Sequence, residues 1–161
     1  MSGFLLDTNI LSELRRPSPD ARVRAFVAAQ AEHRLFVSDV TFAEIRFGIE
    51  LATDPERRAM LLAWLNATLR PLFAGRTLAV TEGVILRWRL MLEDGRKRGH
   101  TFGQPDLFIA AIAAEGGLIV MTRDAAHFEA VGVPVFNPWT GRYVNAAGVA
   151  RAIEGAAFEM V

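Results

Sequence analysis

Short, almost wholly apolar runs alternate along this chain with longer stretches of helical spacing, and that alternation limits the fold more than anything else in the sequence. The runs Gly3–Leu6, Leu35–Ser38, Thr77–Val80, Leu118–Met121 and Val133–Phe136 carry few polar side chains, as strands buried on both faces do. Between them lie stretches with helical periodicity: Ile10–Arg16, Asp20–Ala31, Thr41–Ala52, Pro55–Leu72, Glu82–Arg98, Asp106–Glu115 and Ala125–Val131. Strands alternating with helices predict an α/β fold: a three-layer α/β/α sandwich around a central parallel sheet of about five strands. Asp54 before Pro55 supplies an N-cap followed by proline at the first helical position, and Gly116-Gly117 closes the helix that begins near Asp106. The stripes Leu61, Leu62, Leu65, Leu69 and Ile85, Trp88, Leu92 read as core, with a dimer seam as the alternative.

With 161 residues and 52% apolar composition, the chain has material for one ordinary core. No repeat or low-complexity linker marks a boundary. It has no cysteine, which excludes disulfides, thiol catalysis and zinc–thiolate sites. His33, His100 and His127 are scattered without metal-ligand spacing. The opening segment lacks a basic region and Asp7 interrupts its apolar run, so no secretory signal is expected. The longest apolar stretch, Leu107 to Met121, is interrupted by Glu115-Gly116-Gly117 and is too short for a bilayer. A soluble, cytoplasmic protein is expected.

Basic and acidic residues balance at 18 each, which by itself speaks against a nucleic-acid binder. All the basic residues except Lys97 are arginines, a skew that suits phosphate handling and that codon usage explains more simply.

The positions of the acids are more informative. Ligands of an open parallel sheet bind at the carboxyl ends of its strands. Asp7 follows the first run directly, and Asp124 follows the fourth after Thr122-Arg123. Glu44 lies one turn into the helix after the second run, and Asp106 opens the helix leading to the fourth. If the first, second and fourth strands are neighbours, the four acids converge on one edge. Each has a plainer reading: Asp106 and Asp124 sit where N-caps belong, and Glu44 suits a solvated face. Asp7 is the hardest to explain structurally.

Clustered carboxylates repel one another and must take up protons or bind a cation. An all-oxygen set favours Mg²⁺ or Mn²⁺ over zinc, and such a cation would let a neutral protein handle a polyanion. Setting the four aside leaves 18 basic residues against 14 acidic.

Four segments together resemble the PIN-domain endoribonucleases, in particular VapC-type toxins of toxin–antitoxin modules: Phe4 through Leu14, Ser38 through Glu44, Pro105 through Ala111, and Thr122-Arg123-Asp124 with His127-Phe128. The closing Val135-Phe136-Asn137-Pro138-Trp139 is similar to the FitB-like subgroup. The resemblance implies a Mg²⁺-dependent endoribonuclease toxin that hydrolyses RNA phosphodiester bonds. Asp7 and Asp106 would be the principal metal ligands, Glu44 would hold the metal or orient water, and Asp124 would complete the pocket. Thr8, Asn9 and Thr122 would fix the carboxylates by hydrogen bonds. For Arg123 two roles stand open: meeting a substrate phosphate, or pairing with a nearby acid. The resemblance further implies an antitoxin partner and a homodimer, with higher toxin–antitoxin assemblies. The PIN domain would span 1–140. Residues 141–161 form an extension beyond the usual pattern, with alanine-rich 146–158 expected as a short helix weakened by Gly148 and Gly155.

Two other functions compete. A phosphatase or phosphotransferase could use Asp7 as nucleophile, but Asn9 stands where its general acid would be, and no suitably placed lysine exists. A non-catalytic RNA- or protein-binding module would keep the acids for structure alone.

Overall fold

The computed structural model describes residues 3–155. Its sheet has seven strands in the order β3-β2-β1-β4-β5-β6-β7. These are β1 (Phe4–Leu6), β2 (Leu35–Ser38), β3 (Thr77–Leu78), β4 (Ile119–Met121), β5 (Val135–Asn137), β6 (Arg142–Val144) and β7 (Ala150–Ala152). The first five run parallel, β1 pairing with β2 on one side (Phe4 opposite Leu35) and with β4 on the other (Phe4 opposite Ile119). Strands β6 and β7 add to the β5 edge in antiparallel register.

The helices are α1 (Thr8–Arg15), α2 (Ala21–Ala29), α3 (Asp39–Glu50), α4 (Pro55–Trp64), α5 (Arg70–Leu72), α6 (Glu82–Lys97), α7 (Gln104–Gly116) and α8 (Ala125–Ala130). Their starts follow local chemistry. Ser38, Asp54 and Thr81 accept hydrogen bonds from the first-turn amides of α3, α4 and α6. Gly117 ends α7 in the left-handed conformation at φ 62°, which a side chain would resist. The single helix expected over 55–72 is divided by a π-helical stretch at Leu65–Leu69. Pro71 follows immediately; it brings no N–H, and its ring crowds the preceding turn.

The strands are apolar throughout because both faces are covered. Phe4 and Leu6 of β1 join Ile119 and Met121 of β4 in one core with Phe26, Phe42, Leu65 and Phe136. Leu5 and Val120 point the other way, into a core with Ile109, Ile112 and Phe128. In the first core Phe26 lies against Phe136 at 4.4 Å and edge-on to Phe4 at 5.5 Å between ring centroids. Leu65 and Leu69 are buried as expected. On α6, however, Ile85 is 45% exposed, since that helix meets α7 through Val84 and through Trp88 stacked on Phe108.

The C-terminal extension departs from expectation. The described part of 146–158 forms a turn and β7, not a helix; residues 156–158 lie outside the described residues. The Asn145 side chain accepts from the amides of Ala147 and Val149, Gly148 takes φ 81°, and the chain folds back as a hairpin. Antiparallel pairing with β6 then outweighs the weak helical preference of an alanine–glycine stretch.

Among the described residues no helix is long and apolar enough to cross a membrane.

Candidate active site

The strand order reverses direction at β1: the chain proceeds outward to β2 and β3, then returns to place β4 on β1's other side. Loops leaving β1 and β4 therefore diverge at their carboxyl ends and open a crevice. Asp7 and Asp124 stand on those two loops. The resulting cleft, about 430 Å³, is lined by Asp7, Glu44, Asp106 and Asp124, together with Thr8, Asn9, Glu13, Arg16 and Arg123. All four acids singled out by sequence thus face one cavity.

Asp7 is fixed most firmly. It is 6% exposed, and its own amide donates to the Met121 carbonyl at 3.0 Å, tying it to β4. One carboxylate oxygen caps α1 by accepting from the Thr8 amide at 2.8 Å. This is a structural task that the sequence did not reveal for Asp7. The other oxygen accepts from the Thr122 hydroxyl at 2.8 Å. Thr122 is fully buried and also accepts from Asn9 Nδ2 at 3.0 Å and from the Asp124 amide at 3.1 Å. Its hydroxyl therefore joins the ends of β1 and β4. Asn9 completes the tie, donating to Asp124 Oδ2 at 3.4 Å and accepting from the Arg123 amide at 3.2 Å. Thr8, Asn9 and Thr122 all lie beside the carboxylates.

Of the remaining acids, Asp106 and Glu44 arrive from helices. Asp106 lies in the first turn of α7, whose cap position belongs to Gly103, so capping does not account for it. Asp124 occupies the cap position of α8, yet its side chain accepts no first-turn amide. Capping therefore explains neither acid. Glu44 is exposed on α3 at the cleft rim. His127 Nε2 lies 3.8 Å from Asp106 Oδ2.

Burial pushes the Asp7 carboxyl above the usual carboxylate range; the Thr122 and Thr8 hydrogen bonds oppose that rise, and the charges of Asp106 and Asp124 add to it. A buried acid kept uncomfortable by two others is what a bound cation would relieve. Among the described residues no three acidic or imidazole groups form a ready-made cage. Mg²⁺ does not require one, since it keeps several waters and takes one or two carboxylates. The donors here are oxygens, including a buried Thr8 hydroxyl without a hydrogen-bond partner. Such a set fits a hard divalent cation.

Glu13 was not anticipated. It is 6% exposed and accepts from the Asp20 amide at 2.7 Å and from Arg16 at 3.2 Å, bonds that hold its carboxyl below the usual range. Only the i,i+3 spacing to Arg16 hinted at it. Among the neighbouring arginines, Arg16 lines the cleft. Arg15 instead lies over Trp64, and Arg46 pairs with Glu50 at 3.6 Å. Among the described residues Arg123 forms no ion pair with a nearby acid; its guanidinium lies 4.2 Å from the Trp139 ring centroid.

The model of the PIN domain family matches residues 4–134, most of the chain and all four acids. The chain belongs to the PIN domain family. Toxin FitB of Neisseria gonorrhoeae is 37% identical over 136 residues, spanning 84% of this chain and 98% of its own. VapC ribonuclease Y4jK of Sinorhizobium fredii is 36% identical over 136 residues, 84% of this chain and 97% of its own. Among solved structures, FitAcB from Neisseria gonorrhoeae superposes with a TM-score of 0.79 at 37% identity, covering 84% of this chain and 98% of that one. Strands β5, β6 and β7 lie beyond the residues that the family model matches.

Proposed function

We propose that this PIN domain is a Mg²⁺-dependent endoribonuclease, with Mn²⁺ as an alternative cation, and acts as the toxin of a toxin–antitoxin pair. The observation that carries the reading is Asp7: a buried carboxylate at the switch point of a parallel sheet, raised in pKa and facing Asp106 and Asp124 across an open cleft. The names of its relatives, a VapC ribonuclease and a toxin, support the same activity.

Asp7 and Asp106 would hold the cation as principal ligands, with Glu44 and Asp124 completing the pocket. When bound, the cation supplies positive charge for the scissile phosphate and lowers the pKa of a water. The chain's own groups do the rest. Thr8 and Thr122 fix both oxygens of Asp7, so its position is set before substrate arrives. Asn9 and Thr122 hold the β4 loop that carries Asp124 against the β1 loop. Glu44, at the rim, would orient the attacking water. As the water oxygen bonds to phosphorus, the bond to the ribose oxygen breaks; the water's proton passes to solvent and the leaving oxygen takes one from solvent.

Aspartyl phosphoryl transfer is disfavoured by Asn9, which occupies the general-acid position as an amide donating to Thr122 and Asp124. We further infer that residues 1–140 form the nuclease unit, with 141–161 as a C-terminal extension. The partners proposed are single-stranded RNA as substrate, a cognate antitoxin protein and a second copy of the chain.

The test is incubation of purified protein with total RNA in Mg²⁺ and in EDTA, with release of inorganic phosphate from small phosphoesters followed in parallel. Fragments formed only with Mg²⁺ support the reading. Phosphate release without RNA cleavage would replace it with the phosphatase reading.

A further inference from the structure

We propose that Arg123 is a substrate-phosphate contact, held ready on Trp139, that grips the RNA backbone beside the acidic pocket; this rests on the ribonuclease reading above. The main chain at Arg123 is clamped on both sides. Its amide donates to Asn9 Oδ1 at 3.2 Å, and its carbonyl accepts from Asn137 Nδ2 at 3.3 Å. Asn137 in turn accepts from the Trp139 amide at 3.0 Å, so one side chain sets the positions of both the arginine and the indole. Arg22 donates to the Trp139 carbonyl at 3.0 Å and fixes the indole's own segment from α2. The guanidinium then lies over the indole face, its centre 4.2 Å from the ring centroid. Trp139 Nε1 is buried without a partner, so no hydrogen bond competes with this stacking for the orientation of the ring.

This arrangement leaves the guanidinium's planar edge uncommitted. Among the described residues its side chain donates no hydrogen bond and forms no salt bridge, although it is exposed and lines the cleft. The nearby acid that could have captured it, Glu13, feels its charge but is already occupied by the Asp20 amide and Arg16. A stacked arginine loses little freedom when it meets an oxyanion, and its fork of N–H groups matches two phosphate oxygens. Asp124 is the next residue, so a phosphate on Arg123 lies next to the catalytic acids. Arg123 also counters the field that three carboxylates present to an incoming polyanion. Trp139 is a positioning residue for this contact.

The probe is a fluorescein-labelled ten-nucleotide single-stranded RNA pool of mixed sequence, followed by anisotropy with Ca²⁺ and an Asp106→Asn parent to suppress cleavage. Adding Arg123→Ala should weaken binding about tenfold, the loss of one charge-assisted contact. It should also lower the slope of log affinity against log salt by about 0.7, the loss of one phosphate contact on a single strand. Arg123→Lys should keep the slope and lose part of the affinity. Trp139→Phe should bind like the parent. Trp139→Leu should weaken binding less than Arg123→Ala and add nothing to it in the double variant. An Arg123→Ala variant that binds with the parent's affinity and salt slope overturns the assignment, while RNA cleavage by the unaltered chain leaves the ribonuclease reading standing. If the unaltered chain neither cuts nor binds RNA, both fall.

Discussion

Replacing Thr122 by valine removes one hydroxyl and keeps the side chain's shape, so it isolates the tie between β1 and β4. The hydroxyl donates to a buried carboxylate at 2.8 Å and accepts from the Asp124 amide at 3.1 Å and from Asn9 at 3.0 Å. Asn9 has other acceptors, so two bonds carry the cost. A charge-assisted bond contributes about 2 kcal/mol and a neutral one about 1 kcal/mol, which gives a loss of about 3 kcal/mol at neutral pH. For a chain of this size that corresponds to a fall in Tm of about 6–12 °C. The loss depends on pH in a direction that follows from Asp7. Its folded pKa lies above the ordinary value of 3.8, so ionising Asp7 opposes folding: the penalty is absent below the unfolded pKa and is complete only above the folded one. The Thr122 hydrogen bond limits that penalty. Valine pushes the Asp7 pKa further up, so variant and wild type diverge as pH rises. Well below the unfolded pKa of 3.8, where Asp7 is protonated folded and unfolded, both bonds are neutral and the difference shrinks to about 2 kcal/mol. Urea denaturation at pH 7.5 and at about pH 3 measures both values. A difference within about 0.5 kcal/mol at pH 7.5, or one that grows on acidification, would refute the role given to Thr122.

Three further outcomes follow from packing. A Cβ at Gly95 would meet the Phe102 ring at 2.5 Å and the His100 carbonyl at 3.0 Å, so Gly95→Ala should cost about 2 kcal/mol in chemical denaturation. Phe136, 1% exposed and central to the aromatic cluster, should cost about 4 kcal/mol when replaced by alanine, read as a lowered urea midpoint. Ending the chain after Thr140 removes the strand that pairs with β5, together with Tyr143 and Ile153 from the core; light scattering should then show self-association through the bared edge, alongside a lower Tm.

The parallel half of the sheet was legible because strands buried on both faces must be apolar throughout, and few other segments can be. The acids were legible for a related reason: Asp7 and Asp124 interrupt that apolarity where strands end at the switch point. What escaped notice depends on tertiary partners. Strand β7 (Ala150–Ala152) is exposed on all three residues and carries no alternating pattern; its conformation comes from the hairpin turn and from β6. Glu13 looked like one surface charge among many on α1, and its burial follows from the 16–20 loop folding over it to place the Asp20 amide on its carboxylate. The uncommitted face of Arg123 could not be read either, because the indole beneath it lies 16 residues on and reaches it only through β5.

The central claim, that the acidic cleft cuts RNA with a divalent cation, is tested most directly by the single-turnover cleavage rate of Asp7→Asn and Asp106→Asn beside wild type across a Mg²⁺ titration. Each variant's fold is verified by circular dichroism. A wild-type rate that rises and saturates with Mg²⁺, with both folded variants at background, is the predicted result. Folded variants that cleave at the wild-type rate, or wild-type cleavage that persists in EDTA, would contradict it.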